Sequence, residues 1–355
     1  LLPLLRDDAR ERRLELNLGY RRSEYEQAGG ADSYKAELAF RSSRSLTWRG
    51  SFQHAVRAPS VEELYYPEIA AQFVVPIPDP CSVSSPQRNG PDKQQVEALC
   101  LAQGVPPALL PTYNFVLRRV DGVSGGNPDL EPEDADTYTA GVVLDSTLEH
   151  RWLRDLQLTI DWYRIDLKNG IGRWETESAV TRCFDAAFNP GYLPEYAYCT
   201  FFTRVSTTGD IYALELDRNI GGVETSGVDL QVAWGGEAGP GRVDANLYFT
   251  YVDEWLATEP DGRQVDYVGT VGSRGLGGSI PRLRSTLSLR YDWQVLGLYA
   301  RWLHIDGMHD AEYRDFHVPA CDYFDVGATV ALDRGLLAGL SATAGIENLR
   351  DAEPP

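Results

Sequence analysis

Apolar and polar residues alternate at period two again and again along this chain, and that alternation limits the fold more than any other feature. Val243, Ala245, Leu247, Phe249 and Tyr251 share one side of a segment whose other side carries Asp244, Asn246, Tyr248 and Thr250. Leu156, Leu158, Ile160 and Trp162 oppose Gln157, Thr159, Asp161 and Tyr163 in the same way. Successive side chains of a strand point to opposite faces, so such segments read as strands with one apolar face. The pattern predicts strands at 11–24, 33–42, 45–56, 137–146, 153–170, 210–234, 241–254, 281–292, 295–305, 321–333 and 338–348, about eleven in all.

The connections sort by length. Short turns fall near 42–45, 146–152, 235–241, 292–294 and 333–337, and long loops at 57–136, 172–209, 255–280 and 306–320. Short and long alternate, as in an outer-membrane barrel with tight turns at one end and large loops at the other. A soluble sandwich would turn the same apolar face towards a core, and alternation by itself does not separate the two. Trp48, Trp162, Trp234, Trp293 and Trp302, with tyrosines near strand ends, are expected to form interfacial girdles. No apolar run reaches the roughly 18 residues of a membrane helix.

Charge narrows the partners. The 355 residues hold 33 basic and 52 acidic side chains, a net charge of −19. Phosphate backbones need a basic footprint, so a nucleic-acid partner is not expected. The amino-terminal LLPLLRDDARERR lacks the form of a signal peptide and reads as the interior of a longer protein. Cysteines at 81, 100, 183, 199 and 321 form two local pairs and a remainder. The pairings Cys81–Cys100 and Cys183–Cys199 suit an oxidising compartment, and Cys321 is left for the rim or wall. The spacings match no zinc site.

Sequence patterns of catalysis are absent: no phosphate-cradling loop, no H-E-x-x-H and no G-x-S-x-G. The stretch His309 to His317, with Asp310, Glu312 and Asp315, reads as a solvated loop tip rather than a metal site. Two aromatic loops are the candidates for ligand contact, with packing of the same aromatics between the loops as the equal alternative. The first carries Tyr65, Tyr66, Tyr113 and Phe115; the second carries Trp174, Arg182, Tyr192, Tyr196, Tyr198 and Arg204. Aromatic faces and guanidinium groups offer stacking and charge-assisted hydrogen bonds to a small molecule or metal chelate.

Gly126, Asn127, Pro128, Asp129, Leu130, Glu131, Pro132 and Glu133 spell GNPDLEPE, a proline-stiffened turn feeding a strand. This octapeptide resembles the GNPDLKPE signature of TonB-dependent outer-membrane receptors. Further segments resemble that family in its order. They are Arg57, Ala58, Pro59 and Ser60 (RAPS) with ELYYP after it, LTIDWYRIDLKNGI, NIGGVETSGVDLQVAW, and the final GIENLRDAEPP. Glu131 stands where lysine is common, which leaves the turn intact but puts an ionic role there in doubt. IEN at Ile346 to Asn348, and Arg350, are minor departures in the last motif.

The resemblance implies an all-β fold, an antiparallel transmembrane β-barrel in the outer membrane of a Gram-negative bacterium. About eleven strands are half of a 22-stranded plugged barrel. Residues 1–355 are therefore expected to be a partial barrel domain, with the plug, the TonB box and first strands upstream and a last strand downstream. The implied function is active uptake of a scarce large nutrient, a ferric siderophore by default. It would be driven by a TonB–ExbB–ExbD complex acting through the plug, with no cofactor and no enzymatic step. Outer-membrane lipid and lipopolysaccharide would surround the wall. Arg57, Glu131 and Glu133 are expected to face the barrel interior or plug. A passive porin, or a secreted β-rich binding module, remain alternatives: the first would work without TonB, the second without detergent.

Overall fold

The structure, a computed structural model, describes residues 2–7, 12–25, 29–150, 152–271, 276–310, 316–332 and 338–353. Strands β1 (Leu2–Asp7), β2 (Arg12–Tyr25), β3 (Gly29–Ser43) and β4 (Leu46–Arg57) open the chain. Helix α1 (Val61–Tyr65), β5 (Ile69–Val74), helix α2 (Lys93–Ala102) and β6 (Arg119–Gly125) fill the first long connection. After β7 (Glu133–Asp145) and β8 (Asp155–Gly172), the second holds helix α3 (Thr176–Cys183), β9 (Phe202–Arg204) and β10 (Ile211–Leu216). Then come β11 (Arg218–Ala238), β12 (Gly241–Thr258), β13 (Gln264–Asp266), β14 (Thr270–Val271), β15 (Leu283–Trp293) and β16 (Leu296–Ile305). Last are β17 (Met308–Asp310), β18 (His317–Val318), β19 (Cys321–Ala331) and β20 (Ser341–Ile346).

One wall dominates. Its strands pair in the order β1-β2-β3-β4-β7-β8-β11-β12-β15-β16-β19-β20, with β13 added on β12, 13 strands in all. Each neighbouring pair is antiparallel. All eleven predicted strands have a counterpart on this path. The segment 210–234 needs correction, because it breaks at Asp217 into β10 and β11. β10 leaves the wall to pair in parallel with β6. Strands β1 and β13 of the wall fall outside the predicted set; six and three residues give too little alternation to read. The turn at 333–337 lies outside the described residues.

Register keeps the apolar residues on one face. Phe40 lies opposite Trp48, Trp48 opposite Val142, Val142 opposite Ile160, Ile160 opposite Leu230 and Leu230 opposite Phe249. Because the side-chain period is two, this register keeps a continuous apolar surface across strands far apart in sequence. That surface is open: Leu18 is 59%, Tyr20 69% and Trp48 52% exposed. The opposite face carries Arg49–Asp161, Arg242–Asp244, Arg290–Asp292 and Arg301–Asp325 ion pairs. An open apolar face backed by an ion-paired polar face is what a lipid-embedded barrel wall requires, whereas a soluble sandwich would bury its apolar face.

The packed core lies in the long connections. Val75, Val96, Leu99, Trp174, Val180, Phe184, Tyr198 and Ile211 are buried together, drawn from both. A four-stranded β5-β6-β10-β9 sheet joins the same two segments. What the sequence presents as two loops is one folded cap.

Candidate functional site

The site begins where the cap leaves the wall. Ser60 caps α1: its hydroxyl accepts from the Glu63 amide at 3.1 Å while the Glu63 carboxylate accepts from the Ser60 amide at 2.6 Å. This reciprocal capping box starts a helix of only five residues. Arg57, the last residue of β4, donates to both Glu63 and Glu133, and so ties the start of the long connection to its end. Glu133 in turn accepts from the Ile171 amide at 2.7 Å. Asn219 exchanges two bonds with the Glu131 backbone, both at 2.9 Å, and donates to the Asn169 carbonyl at 2.7 Å. Gly126 has no room for a side chain: a Cβ there would stand 2.7 Å from the Glu63 carbonyl oxygen. Four segments widely separated in sequence thus meet in one knot.

Two disulfides and a set of buried ion pairs hold the cap. Cys81 is bonded to Cys100 and Cys183 to Cys199. Arg204 and Asp79, both fully buried, form a fork of 2.8 and 3.0 Å bonds across the two long connections. Tyr113 donates to the same carboxylate at 2.9 Å. Burial and then the Asp79 charge raise the Tyr113 phenol well above its ordinary range. Arg182 pairs with Glu259, which reaches in from the β12–β13 hairpin and also accepts from Tyr198 at 3.0 Å and Tyr267 at 3.1 Å. The Arg182 guanidinium lies 5.1 Å from the centroid of Trp174, 4.8 Å from Phe188 and 5.0 Å from Tyr198. Tyr196 bonds Asp261 of the same hairpin, and Tyr192 bonds Asp92 at 3.1 Å.

The ten aromatic and arginine residues expected at ligand divide sharply. Tyr65 and Tyr66 are exposed at the α1 end of the cap. Tyr113, Trp174, Tyr192, Tyr198 and Arg204 are buried within it, and Phe115, Arg182 and Tyr196 are partly so. The structure brings Trp174, Arg182, Tyr196 and Tyr198 together, with Arg204 and Tyr113 in a second cluster. Sequence reading misses Asp79 and Glu259, because their partners lie 125 and 77 residues away and no local signal announces them. His309 and His317 sit opposite each other in β17 and β18, while His304 Nδ1 donates to the Asp322 carboxylate at 2.9 Å in the wall. Glu312 and Asp315 lie outside the described residues. Cys321, at the head of β19, is buried with its sulfur 3.6 Å from the Glu353 carbonyl oxygen.

The family model described as TonB dependent receptor-like, beta-barrel matches residues 8–349. The chain belongs to the TonB-dependent receptor β-barrel family. Members are outer-membrane proteins of Gram-negative bacteria. Among solved structures, the siderophore receptor PirA of Acinetobacter baumannii aligns with a TM-score of 0.54 at 13% identity, over 95% of this chain and 39% of that one. A variant of the ferric enterobactin receptor PfeA of Pseudomonas aeruginosa, in complex with enterobactin, gives 0.57 at 15% identity, over 96% and 38%. PirA of Pseudomonas aeruginosa gives 0.50 at 13%, over 96% and 43%. This receptor chain therefore spans about two fifths of the solved receptors it resembles. At these identities the likeness speaks for the fold. No curated protein matches the sequence.

Proposed function

We propose that this chain is part of an outer-membrane transporter that takes up a scarce large nutrient, with a ferric siderophore as cargo. The cap carries the reading: a disulfide-stapled fold with an aromatic core at the ends of β4, β7, β8 and β11, in a family of receptors. The wall would supply a lipid-facing surface in contact with membrane lipid and lipopolysaccharide, and a polar interior. The remaining strands and a plug would come from the rest of the protein, because β1 and β20 end the described wall with unpaired edges that lipid does not tolerate. A TonB–ExbB–ExbD complex would then act through that plug. The siderophore receptors among the structural neighbours support the cargo.

The test is uptake of radiolabelled iron by iron-starved cells that express the full-length protein as their sole candidate receptor, with and without TonB. Accumulation of one or more ferric siderophores that stops when TonB is deleted is the expected result. Uptake that continues without TonB would make the barrel a passive porin. Extraction of the protein in water without detergent would make it a secreted binding module.

A further inference from the structure

Four arginines of the cap and its junction are withdrawn from solvent, and three have a carboxylate partner: Arg88 with Glu97, Arg182 with Glu259 and Arg204 with Asp79. Arg218, the first residue of β11, has no acidic partner among the described residues. It is held from one side only. Its two terminal nitrogens donate to the Thr200 hydroxyl at 3.1 Å and the Thr200 carbonyl at 3.0 Å. Its guanidinium carbon stands 4.6 Å from the Phe201 ring centroid. Five N–H donors in a planar fork are available to an arginine, and these two bonds leave the other three unspent.

The groove beside it is lined by Lys168, Asn169, Asn219 and Gln264 as well as Thr200 and Phe201. Its carboxylates are already engaged. Glu224 is paired with Arg164, Glu259 with Arg182, and Asp166 lies 3.9 Å from Lys168. A half-buried cation without a counter-ion is costly, whereas hydrogen bonds to a neutral hydroxyl and carbonyl position it without cancelling its charge. The surroundings prepare Arg218 for a negative group that arrives from outside.

We propose that Arg218 is an anion-binding subsite, its fork taking a planar oxyanion, carboxylate or catecholate, from an incoming molecule. That this molecule is transported cargo rests on the uptake reading above; the anion contact itself does not. The experiment uses the full-length receptor in detergent, titrated by calorimetry with citrate and with the iron(III) tris-catecholate complex. Arg218→Ala and Arg218→Lys are titrated alongside, each first shown to keep the heat-modifiable electrophoretic mobility of a folded barrel.

Binding of either probe that weakens about tenfold or more in Arg218→Ala is expected, since a charge-assisted bond contributes about that much. Arg218→Lys should recover only part, because a point charge cannot reproduce the fork. Citrate alone would assign a carboxylate, the iron complex alone a catecholate. Unchanged binding in Arg218→Ala, or no binding of either probe to the wild type, overturns the subsite. If the probes bind through Arg218 but no ferric chelate enters cells, the uptake reading falls and the subsite stands. If TonB-dependent uptake is seen but neither probe senses Arg218, the uptake reading stands and the subsite falls.

Discussion

Arg49 on β4 and Asp161 on β8 form a two-pronged ion pair although β7 runs between their strands. Arg49 Nε lies 2.8 Å from Asp161 Oδ1, and the pair closes over Gly141, which is in register with both residues. A Cβ at Gly141 would stand 1.9 Å from Asp161 Oδ1 and 2.9 Å from the Ile160 carbonyl oxygen. The bridge exists because the intervening strand presents hydrogen there. Gly141→Ala should therefore break it and lower stability by about 1–3 kcal/mol, the usual cost of forcing an extra carbon into a filled site. The check is the temperature at which the folded barrel loses its heat-modifiable mobility. An unchanged midpoint would mean the two side chains swing clear at no cost.

Asn219 joins the GNPDLEPE turn to β11 and β8 through three bonds. Asn219→Ala should cost about 1 kcal/mol for each, and should loosen the first long connection rather than the wall. Limited trypsinolysis reads this directly, with faster cleavage at the exposed Arg118 and Arg119 expected while the wall strands stay protected.

The Arg204–Asp79 pair offers a sharper contrast. Replacing Arg204 alone with Met strands a fully buried carboxylate, and should destabilise the cap by about 3–5 kcal/mol. Replacing both, Arg204→Met with Asp79→Leu, should recover much of that loss, because the uncompensated charge is gone. A double-mutant cycle on cap unfolding measures the difference; a double variant as weak as the single one would count against it.

Each disulfide closes a loop, of sequence separation 19 for Cys81–Cys100 and 16 for Cys183–Cys199. Cys183→Ser with Cys199→Ser should lower cap stability by about 3 kcal/mol in the chain-entropy account. Reductant should shift the wild-type cap in the same direction, and should have a smaller effect on the double variant, where only Cys81–Cys100 remains to be reduced.

Burial, and then the hydrogen bond to Asp92, push the Tyr192 phenol up to about 12 from an ordinary value of 10.0. A folded-state pKa above the unfolded one stabilises the cap fully below the unfolded value, and this support is lost as pH rises through the folded one. Loosening is therefore expected between pH 10.0 and about 12. Phenolate absorbance should show Tyr192 ionising after the exposed tyrosines. Simultaneous titration of all tyrosines in a folded protein would refute the contact.

Wall and cap are legible in the sequence to different degrees. The alternation in Val243 to Tyr251 is enough to name both faces of β12, because a strand's period is local and needs no partner segment to declare itself. The knot at Arg57, Glu63, Glu133 and Asn219 shows in the sequence only as motifs. Their contacts depend on the long connection folding back on itself.

The antiparallel wall, its apolar face and the family thus follow from periodicity and short motifs that each segment carries alone. That residues 57–136 and 172–209 make one cap emerges only once the chain is folded. The same holds for the packing of Tyr198 and Arg204 inside that cap, and for Arg218 having no carboxylate paired with it among the described residues. Burial and charge pairing arise between segments more than a hundred residues apart in the Arg204–Asp79 case, and no local pattern encodes where such partners meet.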